Sequence, residues 1–265
     1  DSISSLLAGA ILNSFKDSNL FNGFALIFCI GILANFGCIF YLKRQYEPED
    51  TVDDEESKVD DSVGTLTGKL KRFITYDSLS EFSFHVSGPL MMVYWLRDLQ
   101  FNYIELAILI NVSQILGLFS MRYWGKRIDS AGSYNAIRFT SFWIAIFPLF
   151  WVGLFYLPKE LSLPVAIVIA SLASLMFSGR ALALDNRLYE HMENKKMIKV
   201  TSKRIFFRGL SIFIGGLIGG LLTREEINLV SITYLDNVIH FVMIFSAVLR
   251  LSVWGAFLSS KNSQI

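Results

Sequence analysis

Residues 121–133, "MRYWGKRIDSAGS", separate two long apolar runs: "YIELAILINVSQILGLFS" at 103–120 and "IRFTSFWIAIFPLFWVGLFYL" at 137–157. Each run has the length a helix needs to cross about 30 Å of hydrocarbon at about 1.5 Å per residue. The break between them holds Arg122, Lys126 and Arg127, one acid, Asp129, and two glycines, Gly125 and Gly132. Alternation of this kind is how a chain threads a bilayer. Working outward in both directions, the same pattern recurs along almost all 265 residues.

The apolar content agrees: 53% of the residues are hydrophobic, 14% aromatic and only 18% charged, more apolar side chain than a soluble domain can bury. The partner implied is the lipid bilayer. A net charge of +1, with the charges gathered into short segments, excludes the concentrated basic face that a nucleic acid would need. Cys29 and Cys38 lie within a single apolar run and read as small packing residues, not as a disulfide or a metal pair. No metal or cofactor is expected.

Seven complete spans follow, about Leu20–Leu42, Ser78–Leu96, Tyr103–Ser120, Ala136–Leu157, Leu163–Ala183, Ile205–Thr223 and Asn237–Leu258, preceded by a partial stretch, Ser2–Phe15. The length of each run and the lack of in-out alternation specify helices, not barrel strands. The fold class is all-α: a polytopic transmembrane helix bundle. Lys and Arg in the successive loops after Leu42 number six, one, four, one, eight and one, which by the positive-inside rule places the 43–77 loop and the C-terminal "KNSQI" in the cytoplasm. The basic "RLYEHMENKKMIKVTSKR" segment then meets anionic headgroups on that side. A cell membrane, inner or plasma, is the expected location.

The 43–77 loop differs from the others, since "EPEDTVDDEESKVDD" packs nine acids into fifteen residues and cannot fold alone. After it, "GKLKRFITYD" is suited to lie along the inner membrane surface. The expected division is 1–43 as the end of one bundle, 44–77 as an acidic linker, and 78–265 as a six-helix bundle. An internal echo supports two halves: "LLAGAILNSF" leading to a helix ending in "YLKR", and "IGGLIGGLL" leading to "HFVMIFSAVLRLSVWGAFLSSK".

On these residues the chain resembles the major facilitator superfamily. That family's signature in the turn between the second and third helices of each half is a glycine, an acid four residues on and a second glycine three further, among basic residues. Gly125, Asp129 and Gly132 have that spacing, with Lys126, Arg127 and Arg138 nearby. Ser130, Ser133 and Tyr134 stand where the signature usually has Arg or Lys. "GPLMMVYWLRDLQFNYIELA" is similar to the first helix of the second half and its outer turn, and "FSAVLRLSVWGAF" to the final helix. The resemblance covers essentially the whole chain and implies that it corresponds to the end of the fifth helix through the twelfth, four helices and most of a fifth lying upstream. It also implies a monomeric carrier, and an aromatic-rich helix with Phe142, Trp143, Phe147 and Trp151 at the lipid-facing periphery.

In physical terms, Gly125 and Gly132 permit positive φ or close backbone approach. Asp129 can accept hydrogen bonds at a neighbouring helix start or pair with an Arg. Gly125, Arg127, Asp129 and Gly132 are therefore expected to form either a latch that holds one state of a rocking bundle or an ordinary capped turn. Polar residues at mid-span depth mark a solute path: Ser87, Tyr94, Asn111, Gln114 and Ser174, the last in line with Ser171 and Ser178. The serines serve equally well as helix-packing points. Glu81 and His85, one turn apart, are the candidates for proton coupling. His240, near the outer end of the last helix, is expected to be structural, and Arg97–Asp98 an interfacial pair. Gly215, Gly216, Gly219 and Gly220 form two overlapping small-xxx-small patterns.

The expected function is a secondary transporter of a small solute by alternating access. The alternative is a membrane scaffold of the same fold. No catalytic residue is expected, because no zinc-binding His pair, G-x-S-x-G or paired intramembrane aspartates are present.

Overall fold

A computed structural model describes residues 2–15, 20–42, 44, 68–190, 197–223 and 238–258. Among these the chain is helical throughout, with no strand: α1 Ser2–Ser14, α2 Leu20–Leu42, α3 Gly68–Ser87, α4 Leu90–Val93, a π-helical turn Tyr94–Asp98, α5 Tyr103–Ala131, α6 Ser133–Leu154, α7 Lys159–Glu190, α8 Met197–Leu222 and α9 Val238–Leu258. The acidic stretch 45–67, the basic residues 191–196, the segment 224–237 and "KNSQI" lie outside the described residues.

Six helices are long and apolar enough to cross a membrane: α2 and α5 through α9. Their outward faces carry large exposed side chains such as Phe28, Leu33, Phe119, Phe206 and Phe213. Lipid is the solvent that tolerates such a surface. The protein is a multi-pass membrane protein. Cys29 and Cys38 are exposed on α2, and so are not the packing residues that composition indicated.

The seventh expected span, 78–96, is not one apolar helix. α3 starts at Gly68, carries Asp77 and Glu81 inward, and is interrupted at Gly88–Pro89, where proline has no N–H to continue the ladder. α4 and the π turn follow the break. The segment "GKLKRFITYD" is accordingly the first half of α3 and not a surface strip: Phe73, Ile74 and Tyr76 are buried in the core. The last ten residues assigned to the linker, 68–77, therefore belong to the bundle.

The stretch 121–133 is also different from the expected turn. α5 continues through Ala131, and only Gly132, at φ 83° and ψ 151°, separates it from α6. Trp124 and Ile128, four residues apart on one face, are buried and keep the helix docked beyond the lipid-length window. Gly125 is helical with open space around it, so of the two glycines only Gly132 uses the conformational freedom expected of both. At its other end α5 begins in a capping box. The Asn102 side chain accepts from the Ile104 and Glu105 N–H groups, each at 2.9 Å, and Glu105 accepts from the Asn102 N–H at 2.8 Å.

Two core layers order the bundle. One joins the start of α3, the ends of α5, α7 and α9, and the starts of α6 and α8 around Tyr76, Trp124, Ile137 and Leu184. The other joins the opposite helix ends around Tyr94, Leu109, Trp151 and Met243. Successive helices thus run up and down. α3 packs between α8 and α9, α7 between α5 and α6, and α1 against α5.

Small residues set the closest approaches. A Cβ at Gly219 would strike the Val86 carbonyl oxygen, and one at Gly215 would lie 2.6 Å from the Phe82 carbonyl oxygen, so α8 lies against the backbone of α3. Ser174 and Ser178 occupy the place a Cβ at Gly117 would take, which makes both of them packing points between α7 and α5. His240 is fully buried against the rings of Tyr94 and Phe155, as a structural histidine would be.

Candidate functional site

α3 presents Asp77, Glu81 and His85 at intervals of four, which places them on one helical face. Three other helices direct arginines toward that face: Arg180 from α7, Arg204 and Arg208 from α8, and Arg250 from α9. Asp77 is completely buried and accepts from Arg204 Nε at 2.8 Å and Arg180 Nη2 at 3.5 Å. Glu81 accepts from Arg208 Nη2 at 3.1 Å and Arg180 Nη1 at 3.4 Å. Arg204 also reaches Asp185, whose side chain is 58% exposed, at 2.9 Å. These contacts bind α3, α7 and α8 together just above the layer of Tyr76 and Leu184. Charges this deep are stable only when paired.

Arg250 is held differently. Its Nε donates to Ser246 Oγ at 3.1 Å, Nη1 to the Ile144 carbonyl at 3.1 Å, and Nη2 to Ser87 Oγ at 3.0 Å and the Phe84 carbonyl at 3.4 Å. All four acceptors are neutral oxygens, and no carboxylate pairs with it among the described residues. The guanidinium lies 4.9 Å from the Phe84 ring centroid, and that of Arg180 lies 4.8 Å from the same ring. The Phe84 π-face therefore stabilises two cations that would otherwise repel each other.

Above these groups lies a cavity of about 610 Å³, in the range of small-molecule sites. Its apolar wall is built from Trp95, Leu109, Phe147 and Trp151. The polar wall brings together five residues that the sequence reading singled out: Glu81, His85, Ser87, Gln114 and Ser174. His85 Nδ1 lies 2.9 Å from the Glu81 carbonyl oxygen and 3.7 Å from Glu81 Oε2.

The other candidates lie elsewhere. Tyr94 is buried in the opposite core layer, where its hydroxyl donates to the Trp151 carbonyl at 2.7 Å, tying the π turn to α6. Asn111 donates to the Ala107 carbonyl of its own helix at 2.7 Å and is not in the cavity wall, although Gln114, three residues on, is. The 60° by which three residues fall short of a full turn separates them. Arg127 and Asp129 are exposed at the arginine-rich end, where Asp129 has no ion pair among the described residues. α6 divides its aromatics: Trp143 is exposed, as expected, whereas Phe147 and Trp151 are buried on the face they share with Thr140 and Ile144 and line the cavity.

Sequence reasoning did not assign Asp77, Arg180, Arg204, Arg208 or Arg250 to the site. Most of these sit in charged segments that read as solvated loop ends. Arg250 carried a clear signal, as the only Lys, Arg, Asp or Glu within the 21 residues of α9.

No protein-family model, curated protein or solved structure matches the chain.

Proposed function

We propose that the chain is a secondary active transporter, organised like the second half and adjoining helices of a major facilitator, which moves a small solute by alternating access. The observation that carries this is the cavity of about 610 Å³ lined by α3 through α9, whose wall holds Glu81, Arg180, Arg208 and Arg250. Glu81 and Arg180 are buried and Arg250 is partly buried, and charges at such positions in an apolar bundle are costly unless they act on something that enters. A scaffold has no use for them.

The ion pairs among α3, α7 and α8 close the arginine-rich end in this conformation, and an open state would break some of them. That end is cytoplasmic on the distribution of basic loops. Asp129, exposed beside the Gly132 turn, is free to make its contact in the alternative state, which suits a latch there.

Reconstitution into liposomes tests the reading. Counterflow of a broad solute panel should reveal saturable exchange that Gln114→Leu reduces about tenfold or more through loss of a polar wall contact. A protein that exchanges no solute overturns the transporter reading in favour of a scaffold. Proton coupling through Glu81 and His85 is tested in the same vesicles: His85→Ala should abolish the dependence of uptake on an imposed pH gradient. Retained dependence removes His85 from the coupling path.

A further inference from the structure

We propose that the solute is a monovalent organic anion with an apolar body. The inference rests on the transporter reading and deepens it. The connected charges around the cavity are four guanidinium groups, of Arg180, Arg204, Arg208 and Arg250, against three carboxylates, of Asp77, Glu81 and Asp185. One positive charge is left over among the described residues. In the cavity wall itself the imbalance is larger, three arginines facing Glu81 alone.

Donor accounting agrees with the charge count. A guanidinium has five N–H donors. Arg250 commits four of its own to neutral oxygens, which fix its orientation without cancelling its charge, and one Nη1 hydrogen remains. Arg180 is 4% exposed and lines the cavity, its Nη groups turned to Asp77 and Glu81, so it adds positive charge to the wall and not a free donor. Arg208 is half-exposed and pairs through one nitrogen only. Unused donors on fixed cations in a low-dielectric wall form an anion site.

The rest of the wall specifies the body of the ligand. Trp95, Phe147 and Trp151 supply the apolar part of the wall, a surface suited to an aromatic or aliphatic group. A cation would meet three like charges, and a neutral apolar solute would leave them uncompensated. Head and body together describe an amphipathic monocarboxylate.

The test uses ligands that share a ring and differ in charge, titrated calorimetrically into the full chain in nanodiscs: benzoate, phenylacetate, phenylphosphate, benzyl alcohol and benzylamine. Benzoate or phenylacetate should bind saturably, at least about tenfold more tightly than the alcohol or the amine. Arg250→Gln should weaken the carboxylates about tenfold or more, with Arg250→Lys recovering part of the loss. Equal binding of carboxylate and amine, or no saturable binding of either carboxylate to the unaltered protein, overturns the proposal; this comparison needs no variant to fold. Phenylphosphate binding more tightly than the carboxylates overturns monovalency. Counterflow separates the two claims. Carboxylate binding without exchange overturns transport and leaves the anion site standing, whereas exchange confined to neutral or cationic solutes overturns the anion and leaves transport standing.

Discussion

Asp77→Asn lowers the free energy of unfolding by about 3 kcal/mol or more, the loss expected when one partner of a buried ion pair is removed. The carboxylate is fully buried and serves two guanidinium groups, at 2.8 Å to Arg204 and 3.5 Å to Arg180. Asparagine keeps the shape but removes the charge, so both cations stay at depth with less compensation. Arg180 retains Glu81, and Arg204 retains Asp185, which keeps the loss toward the lower end of the range. Asp185→Asn supplies the comparison. It removes a bond of nearly the same length, 2.9 Å, to the same Arg204, but from a side chain 58% exposed, where water and salt screen the charge. Its cost is about 0–1 kcal/mol. Denaturant unfolding of the purified protein in one detergent measures both. Equal losses for the two substitutions would show that Asp77 is far better solvated than its position implies.

Gly219→Ala destabilises the protein by about 2–3 kcal/mol, while Gly220→Ala, one residue along, is neutral or stabilises it by up to about 1 kcal/mol. The new methyl at 219 would collide with the Val86 carbonyl oxygen, a backbone atom that moves only if α3 moves. At 220 nothing lies within 4 Å, and alanine only improves the helix. The first substitution also reaches the charged site, because Arg204 and Arg208 ride on α8 and their carboxylates on α3. Melting temperatures of the two variants decide the matter: similar values would mean that α3 and α8 are not in backbone contact. The four glycines looked equivalent in sequence, and the structure separates them by the side of α8 on which each falls.

Much of the fold was legible because lipid imposes a length on each crossing. α2 occupies the expected Leu20–Leu42, and α9 begins within one residue of its expected start. The errors fall where a helix continues beyond hydrocarbon. Hydropathy ends a span at its first cluster of charges, whereas helical hydrogen bonding continues until a residue such as Gly132 stops it. That is why α5 extends eleven residues past Ser120 and α3 begins ten before Ser78. The site was legible on its uncharged side and at Glu81 and His85. Gln114, Ser87 and Ser174 stand out against apolar neighbours, as Arg250 also does. Asp77, Arg204 and Arg208 are embedded in polar sequence, where nothing local distinguishes a solvated charge from one that another helix will cover. Their burial follows from tertiary packing alone.

The one-residue joint at Gly132 has a mechanical consequence. Helices of 29 and 22 residues meet with no intervening loop to absorb displacement. A loop of several residues would let either helix slide independently, but two torsions in a single glycine allow only a change of angle. α5 and α6 therefore cannot slide past each other and can only swing about that residue. The Leu109 and Gln114 side of the cavity can approach or leave Phe147 and Trp151 only by such a change of angle.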